Sequence, residues 1–130
     1  MDWPAVFIVF ALSHMVGDFV LQTDWQAQNK AGGLGGDPVA RRALVFHVTT
    51  YTLAFVPALI WIAGDVAAGA IGIAALIAGP HLIQDDGRLL ASYVRRFKGP
   101  GASGLPVVMI GADQALHMLA LFGAALLAAA

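Results

Sequence analysis

The sequence contains no cysteine and no glutamate, and charged residues occupy only 12% of its 130 positions. The absence of cysteine excludes a disulfide framework, a thiolate metal site and a redox-active dithiol. The low charge excludes an ordinary water-soluble domain, in which about 25% of residues are charged. A net charge of −1 provides no electrostatic attraction to nucleic acid, which is therefore not an expected partner.

Apolar residues make up 59% of the chain, and the mean hydropathy is +0.78. Four apolar stretches are each long enough to cross a bilayer as a helix, and helices are favoured because a chain in lipid must satisfy its own backbone hydrogen bonds. The sequence therefore predicts an all-α fold, a single domain over residues 1–130 with four transmembrane helices in a bundle. The predicted spans cover about residues 3–23, 39–62, 66–93 and 105–129.

Turn-forming and cap-forming residues separate these spans. Asp37-Pro38 suits the start of the second helix, because Asp is a good N-cap and Pro is favoured at the first helical position. Gly64-Asp65 predicts a tight turn between the second and third spans. A proline within the third span, Pro80, predicts that this helix is kinked.

The basic residues predict the orientation of the bundle. All seven Lys and Arg residues lie in or near the connections 24–38 and 94–104, and none lies near either terminus. By the positive-inside rule these two connections are predicted to be cytoplasmic, with both termini outside. The expected location is the bacterial inner (plasma) membrane, with the first span retained rather than cleaved as a signal peptide.

Ionisable residues inside the spans follow a pattern. Each predicted span contains one His, and three of the four have an Asp four residues away, on the same helix face. Counting depth along each helix places these residues at a similar level, in the cytoplasmic half of the bilayer. Buried ionisable groups are costly there, so their concentration predicts a functional site. The candidate metal ligands are His14, Asp18, His47, His81, Asp85, Asp113 and His117.

Imidazole and carboxylate ligands together favour a divalent transition metal, with zinc as the first expectation and iron or manganese as alternatives. Seven such side chains exceed the needs of one tetrahedral ion. The sequence leaves open one metal surrounded by further carboxylates, or two metals. It also leaves open a hydrogen-bonded His–Asp network that binds no metal and only holds the helices together.

Three functions are compatible with such a site. The first is a metal-dependent hydrolase of a membrane lipid or lipid-linked substrate, in which the metal activates water. In that enzyme Asp18 or Asp113 is the general base, and Arg88 holds a substrate anion. The second is a metal-ion or proton transporter, although no ionisable residue lines the outer half of any span. The third is a non-catalytic membrane module with a structural His/Asp cluster. Small residues spaced four apart leave a homo-oligomer open.

The polar residues also carry a resemblance. The first span contains His14-Met-Val-Gly-Asp18-Phe-Val-Leu-Gln22-Thr-Asp24-Trp25, with Asn29-Lys30 behind it. In order along the chain follow His47, His81-x-x-x-Asp85-x-x-Arg88 and Asp113-Gln114-x-x-His117. With these motifs, nearly the whole chain resembles a family of small bacterial membrane proteins, domain of unknown function 3307.

The resemblance implies a membrane protein but no particular reaction. Arg88 stands where that family leads us to expect Lys, which keeps the charge and changes its geometry. A looser similarity links the chain to bacterial membrane proteins labelled metal-dependent hydrolases, which also carry His-x-x-x-Asp in apolar helices. That similarity favours the hydrolase hypothesis by analogy.

Overall fold

The computed structural model describes residues 1–130 and contains helices but no strands. A π-helical segment, Val16–Leu21, continues α1, and a short 3-10 turn, Ala102–Gly104, precedes α7. The all-α prediction is confirmed. The α-helices are α1 (Trp3–Met15), α2 (Asp24–Asn29), α3 (Pro38–Ala54), α4 (Val56–Val66), α5 (Gly69–Asp85), α6 (Arg88–Lys98) and α7 (Pro106–Ala128).

Two helical stretches are long and apolar enough to cross a membrane: Trp3–Leu21, which joins α1 to its π-helical continuation, and α7. Helices α3 and α4 make a third candidate if their 55° bend is counted within one span. The bend coincides with Pro57, which has no N–H and whose ring would clash with the carbonyl of Leu53 in a straight helix. Helix α5 has only 17 residues. The structure thus supports two or three spans and does not clearly contain four.

The predicted third span, 66–93, is corrected to two separate helices. Helix α5 ends at Asp85, and α6 begins at Arg88. Gly87 between them has a φ of +75°, in the left-handed region that glycine adopts at little cost. Helix α5 is continuous through Pro80, and the kink expected there stays a prediction. The 55° bend between two helices lies in the second predicted span.

The turn predicted at Gly64-Asp65 also lies elsewhere. Helix α4 continues through these residues to Val66, and the chain reverses at Ala67, whose φ is +47°. Hydropathy does not locate such a reversal, because the residues on both sides of it are equally apolar. The span boundary therefore moves by about one helical turn.

The connection between α1 and α3 is held by two caps. Thr23 and Gln26 form a reciprocal capping box at the start of α2. The Asp37 carboxylate accepts the Val39 N–H at 2.8 Å, and Pro38 is the first residue of α3. The N-cap predicted at Asp37-Pro38 is confirmed. These caps fix the path of the chain on either side of Lys30.

Each long helix buries a single stripe of side chains, which is apolar in one part of the helix and polar in the other. From α1 into the π-helical segment, Val6 and Phe10 are followed at the same four-residue spacing by His14 and Asp18. In α5 the stripe likewise passes from isoleucines to His and Asp. The apolar parts form one core, and the polar parts lie together at its end. The core consists of Val6, Phe10, Tyr51, Phe55, Ala58, Ile62, Ile73, Ile77, Leu121, Ala124, Ala125 and Ala128.

The outside of the bundle is also apolar. Large aliphatic side chains such as Val20, Ile60, Ile71 and Val107 are each at least 70% exposed. Water-soluble monomers rarely expose apolar surface on this scale. In a membrane, lipid chains would cover these side chains and keep them away from water. This exterior is therefore compatible with a membrane location.

Candidate metal centre

The helices bring the predicted site residues to one end of the bundle. All four histidines are fully buried, Asp18 and Asp85 are buried, and the Asp113 side chain is 26% exposed. We refer to the seven residues as the polar cluster. It comprises His14 on α1, Asp18 on the π-helical segment, His47 on α3, His81 and Asp85 on α5, and Asp113 and His117 on α7.

A close approach between α3 and the π-helical segment places Asp18 in the polar cluster. A Cβ at Gly17 would lie 2.6 Å from Tyr51 Cδ2, so only glycine allows the present separation. At this separation Asp18 Oδ1 reaches within 3.2 Å of His47 Nε2. Wide π-helical turns are frequent at functional sites.

Four side chains form what we name the four-ligand group: Asp18, His47, His81 and Asp85. The Nε2 atoms of His47 and His81 lie 3.0 Å apart. Asp85 Oδ2 lies 2.7 Å from the first of these nitrogens and 3.2 Å from the second. Asp18 Oδ1 lies 3.2 Å and 3.6 Å from the same two atoms. Two imidazole nitrogens and two carboxylate oxygens from three helical segments thus point at one small volume.

These distances match the edges of a metal-binding tetrahedron. With bonds of about 2.0–2.1 Å to nitrogen and oxygen, ligand atoms around zinc lie about 3.3 Å apart. Five of the six pairs of ligand atoms here lie 2.7–3.6 Å apart. Asp18 Oδ1 is buried and has no hydrogen-bond partner. The group therefore fits a four-coordinate divalent ion.

The outer sides of the two rings are held by packing. The Nδ1 atoms of His47 and His81 are buried and have no hydrogen-bond partner in the protein. Metal-binding histidines more often donate this second N–H to a carbonyl or carboxylate. The His81 ring instead stacks on Tyr51, with centroids 3.4 Å apart and planes within 5°.

A second set, which we name the three-ligand group, shares one residue with the first. It consists of Asp85, Asp113 and His117. His117 Nε2 lies 3.4 Å from Asp85 Oδ1, the carboxylate oxygen that the four-ligand group does not use. Asp85 thus lies between the two groups.

His14 lies beside both groups, because hydrogen bonds occupy its two ring nitrogens. Nε2 lies 3.0 Å from Gln114 Oε1 and Nδ1 lies 3.1 Å from the Tyr51 hydroxyl. An amide oxygen only accepts, so Nε2 carries the proton and Nδ1 accepts from Tyr51. The Gln114 amide in turn donates to Asp113 Oδ2 at 3.2 Å. Tyr51, His14 and Gln114 therefore form a chain that orients Asp113.

The structure adds Lys30, which lies in the first long connection and outside the predicted spans. Its ammonium group donates to Asp85 Oδ2 at 2.6 Å and to Gln22 Oε1 at 2.5 Å. The Lys30 side chain is mostly buried. No spacing in the sequence links it to Asp85, 55 residues away. The Asn29-Lys30 pair in the family motif was the available signal.

Arg88 lies outside the polar cluster. Its guanidinium donates to both carboxylate oxygens of Asp86, at 2.7 and 3.2 Å, and its side chain is 58% exposed. Asp86 also accepts the Leu34 N–H at 2.7 Å. Burial alone would raise the pKa of Asp86, but the bonds from Arg88 and Leu34 outweigh it and hold the pKa below its usual value. The pair connects the first long connection to the start of α6.

A cleft between α6 and α7 reaches the polar cluster. It has a volume of about 210 Å³. Asp85 and Asp113 lie at its polar end, next to Lys30. Its other lining residues include Leu90, Met109 and Ile110. A small group that entered this cleft would meet the three-ligand group first.

Comparison with known proteins identifies the family. The model of the family described as "Protein of unknown function (DUF3307)" matches residues 6–129. The chain belongs to this family. The match covers every residue of the polar cluster, so the resemblance drawn from the motifs is confirmed. No curated protein and no solved structure is significantly similar to the chain.

Proposed function

We propose that this DUF3307 protein is an integral membrane metalloprotein that hydrolyses a lipid or lipid-linked substrate. The observation that carries the proposal is the four-ligand group, whose two imidazoles and two carboxylates lie at metal-ligand distances in a buried site. The expected ion is zinc, with iron or manganese as alternatives. When bound, the ion would supply Lewis acidity and lower the pKa of a bound water.

The charges of the site support a bound cation. The polar cluster contains the three carboxyl groups of Asp18, Asp85 and Asp113, and one ammonium group, that of Lys30, contacts it. Buried charges are stable only when they are paired. Bound cations would offset this excess of carboxylates over ammonium groups.

The residues at the cleft have roles that suit hydrolysis. Asp113 is the carboxylate that reaches the cleft, and we propose that it accepts the proton of the attacking water. Asp18, the other candidate base, has its Oδ1 in the four-ligand group. Lys30 would hold a substrate anion, the role that the sequence suggested for Arg88.

The apolar half of the bundle favours a one-sided site over a transport pathway. Phe10, Phe55 and Ile62 are fully buried beyond the polar cluster, and no polar residue lies among the core side chains except the Tyr51 hydroxyl. An ion would have no ligands there. The proposed substrate therefore enters and leaves by the α6/α7 cleft.

Elemental analysis of the protein, purified in mild detergent, tests the metal site. We expect bound metal in the wild type and its loss in a His81→Ala/Asp85→Ala variant. Ile73→Ala/Ile77→Ala is the matched control, since it removes two buried side chains of the same helix outside the polar cluster and should retain metal. Wild-type protein without metal, even after incubation with zinc, iron or manganese, would overturn the proposal.

Hydrolysis is tested separately with chromogenic phosphate and carboxylic esters that carry an acyl chain. We expect turnover that Asp113→Asn lowers by about 100-fold or more while the ion of the four-ligand group is retained. Turnover that survives in the metal-free double variant would contradict a metal-dependent reaction.

A further inference from the structure

We infer that the three-ligand group is a second metal site, so that the centre holds two divalent ions which share the Asp85 carboxylate. This inference rests on the proposed function and extends it. It concerns Asp113 and His117, which the four-ligand group does not use.

The hydrogen bonding of His117 leaves one ring nitrogen facing an acceptor. Its Nδ1 lies 2.8 Å from the Asp113 carbonyl oxygen, which only accepts, so Nδ1 carries the proton. In the neutral ring, Nε2 then has a lone pair and no donor. This atom is buried, has no hydrogen-bond partner and lies 3.4 Å from Asp85 Oδ1.

Two lone pairs that face each other in a buried site repel, and a cation between them removes the repulsion. The 3.4 Å separation is close to the edge of about 3.3 Å expected between ligands of one tetrahedral ion. The bond from His117 Nδ1 to a backbone carbonyl is also the arrangement that orients a metal-binding histidine. His117 Nε2 therefore has the partner, the distance and the orientation of a ligand.

Asp85 has the geometry of a bridging carboxylate. Its Oδ2 lies 2.7 Å from His47 Nε2 in the four-ligand group, and its Oδ1 lies 3.4 Å from His117 Nε2 in the three-ligand group. Helix bundles build two-metal centres from such carboxylates and histidines on facing helices. One oxygen from each carboxylate suffices for the three-ligand group, so Asp113 retains the other for a proton.

The two sites differ in how many protein ligands they supply. Four protein ligands would complete a tetrahedron in the first site, which is typical of a structural ion. Three would leave the second ion an open position, which is typical of a catalytic ion. The α6/α7 cleft reaches this second site, because Asp85 and Asp113 line it. We therefore assign water activation to the ion at the three-ligand group.

The metal stoichiometry of the full chain in detergent tests this inference. Wild-type protein loaded with zinc or manganese should hold about two equivalents, and His117→Ala should hold about one. Leu121→Ala is the control, because Leu121 is buried in the apolar core one turn farther along α7, outside the polar cluster. The control should retain both ions.

The outcomes separate the two proposals. One equivalent in the wild type, unchanged in His117→Ala, would overturn the second site. The proposed function would then rest on the ion of the four-ligand group, which would bind water as a fifth ligand. No metal in the wild type would overturn both. If His117→Ala fails to fold, the electron paramagnetic resonance spectrum of manganese-loaded wild type decides. Ions that share a carboxylate give an exchange-coupled spectrum, whereas an isolated ion would refute the inference.

Discussion

Tyr51 joins the two halves of the bundle through one side chain. Its ring belongs to the apolar core and stacks on His81, while its hydroxyl donates to His14 Nδ1. Because Tyr51 is fully buried and its hydroxyl makes a single hydrogen bond, a change to Phe removes the hydroxyl and keeps the packing of the ring.

Tyr51→Phe should destabilise the fold and leave the ligand groups in place. The change leaves His14 Nδ1 buried without a donor, which costs about 1–3 kcal/mol. Thermal unfolding in detergent measures this cost, and metal content should be unchanged. Tyr93→Phe is the control, because Tyr93 is exposed and should change stability by less than about 0.5 kcal/mol. Equal effects of the two changes would contradict the role given to the Tyr51 hydroxyl.

Asp86 provides a prediction of pH dependence. Because its pKa is lowered in the folded state, its ionised form stabilises the fold above the unfolded pKa of about 3.9. This contribution is lost as pH falls through the folded value. Asp86→Asn should therefore be less stable than wild type near neutral pH, with a difference that shrinks in acid.

Thermal unfolding of both proteins, measured from about pH 6 to about pH 3, tests this expectation. Comparing the two at each pH cancels the titration of the other carboxyl groups. The Asn side chain retains a carbonyl oxygen for the Leu34 N–H, so the change removes the charge and one acceptor of the Arg88 guanidinium. A difference that stays constant over the whole range would contradict the prediction.

At the scale of elements, the contact between α3 and the π-helical segment positions Asp18. Gly17→Ala should weaken this helix contact, because the added Cβ would lie 2.6 Å from the buried Tyr51 ring, which stacks on His81. Overpacking of this kind costs about 1–3 kcal/mol. We also expect weaker metal binding, since Asp18 would move away from His47.

Gly72→Ala is the matched control within α5. A Cβ at Gly72 meets nothing within 4 Å, and alanine is favoured over glycine inside a helix by about 1 kcal/mol. Its stability should stay equal or rise, and its metal affinity should not change. Thermal unfolding and zinc titration of both variants measure the contrast. Similar losses in the two variants would refute the close-contact explanation.

Helices and their caps could be predicted from the sequence where residues close together in the chain determine the local structure. The i,i+4 spacing of His81 and Asp85 follows from helix geometry, and Asp37-Pro38 is a local capping signal. The break after Asp85 was missed because hydropathy outweighed Asp86-Gly87, although an Asp-Gly pair is a turn signal. Lys30 was missed for another reason: its contact with Asp85 depends on the tertiary fold, which no local pattern encodes.

At the scale of the whole molecule, metal binding should stabilise the folded bundle. An ion that binds only the folded state at 100 times its Kd adds about 2.7 kcal/mol. A chelator should therefore lower the Tm of the wild type and have little effect on Asp85→Asn, which has lost a ligand shared by both groups. If neither a chelator nor added zinc changes the Tm of the wild type, a metal that stabilises the fold is contradicted.

The absence of cysteine makes the proposed orientation directly measurable. Any introduced cysteine is the only thiol in the chain. A cysteine at Gly36 or Ala102 should react with an impermeant maleimide only from the cytoplasmic side, and one at Ala68 only from outside. Labelling of intact cells and of inverted vesicles shows from which side of the membrane each cysteine reacts. Labelling of all three from one side would contradict the proposed topology.

The apolar core and the polar cluster occupy different halves of the bundle. This arrangement determines where the transmembrane voltage falls. In the proposed orientation, an ion entering by the cleft stops at the polar cluster, and the side chains of the apolar core fill the remaining depth. Most of the transmembrane voltage then falls across that core and not along the path of the ion. A charge that crosses the full field gains about 2.3 kcal/mol per 100 mV. We therefore expect metal occupancy to be nearly the same in energised and de-energised cells.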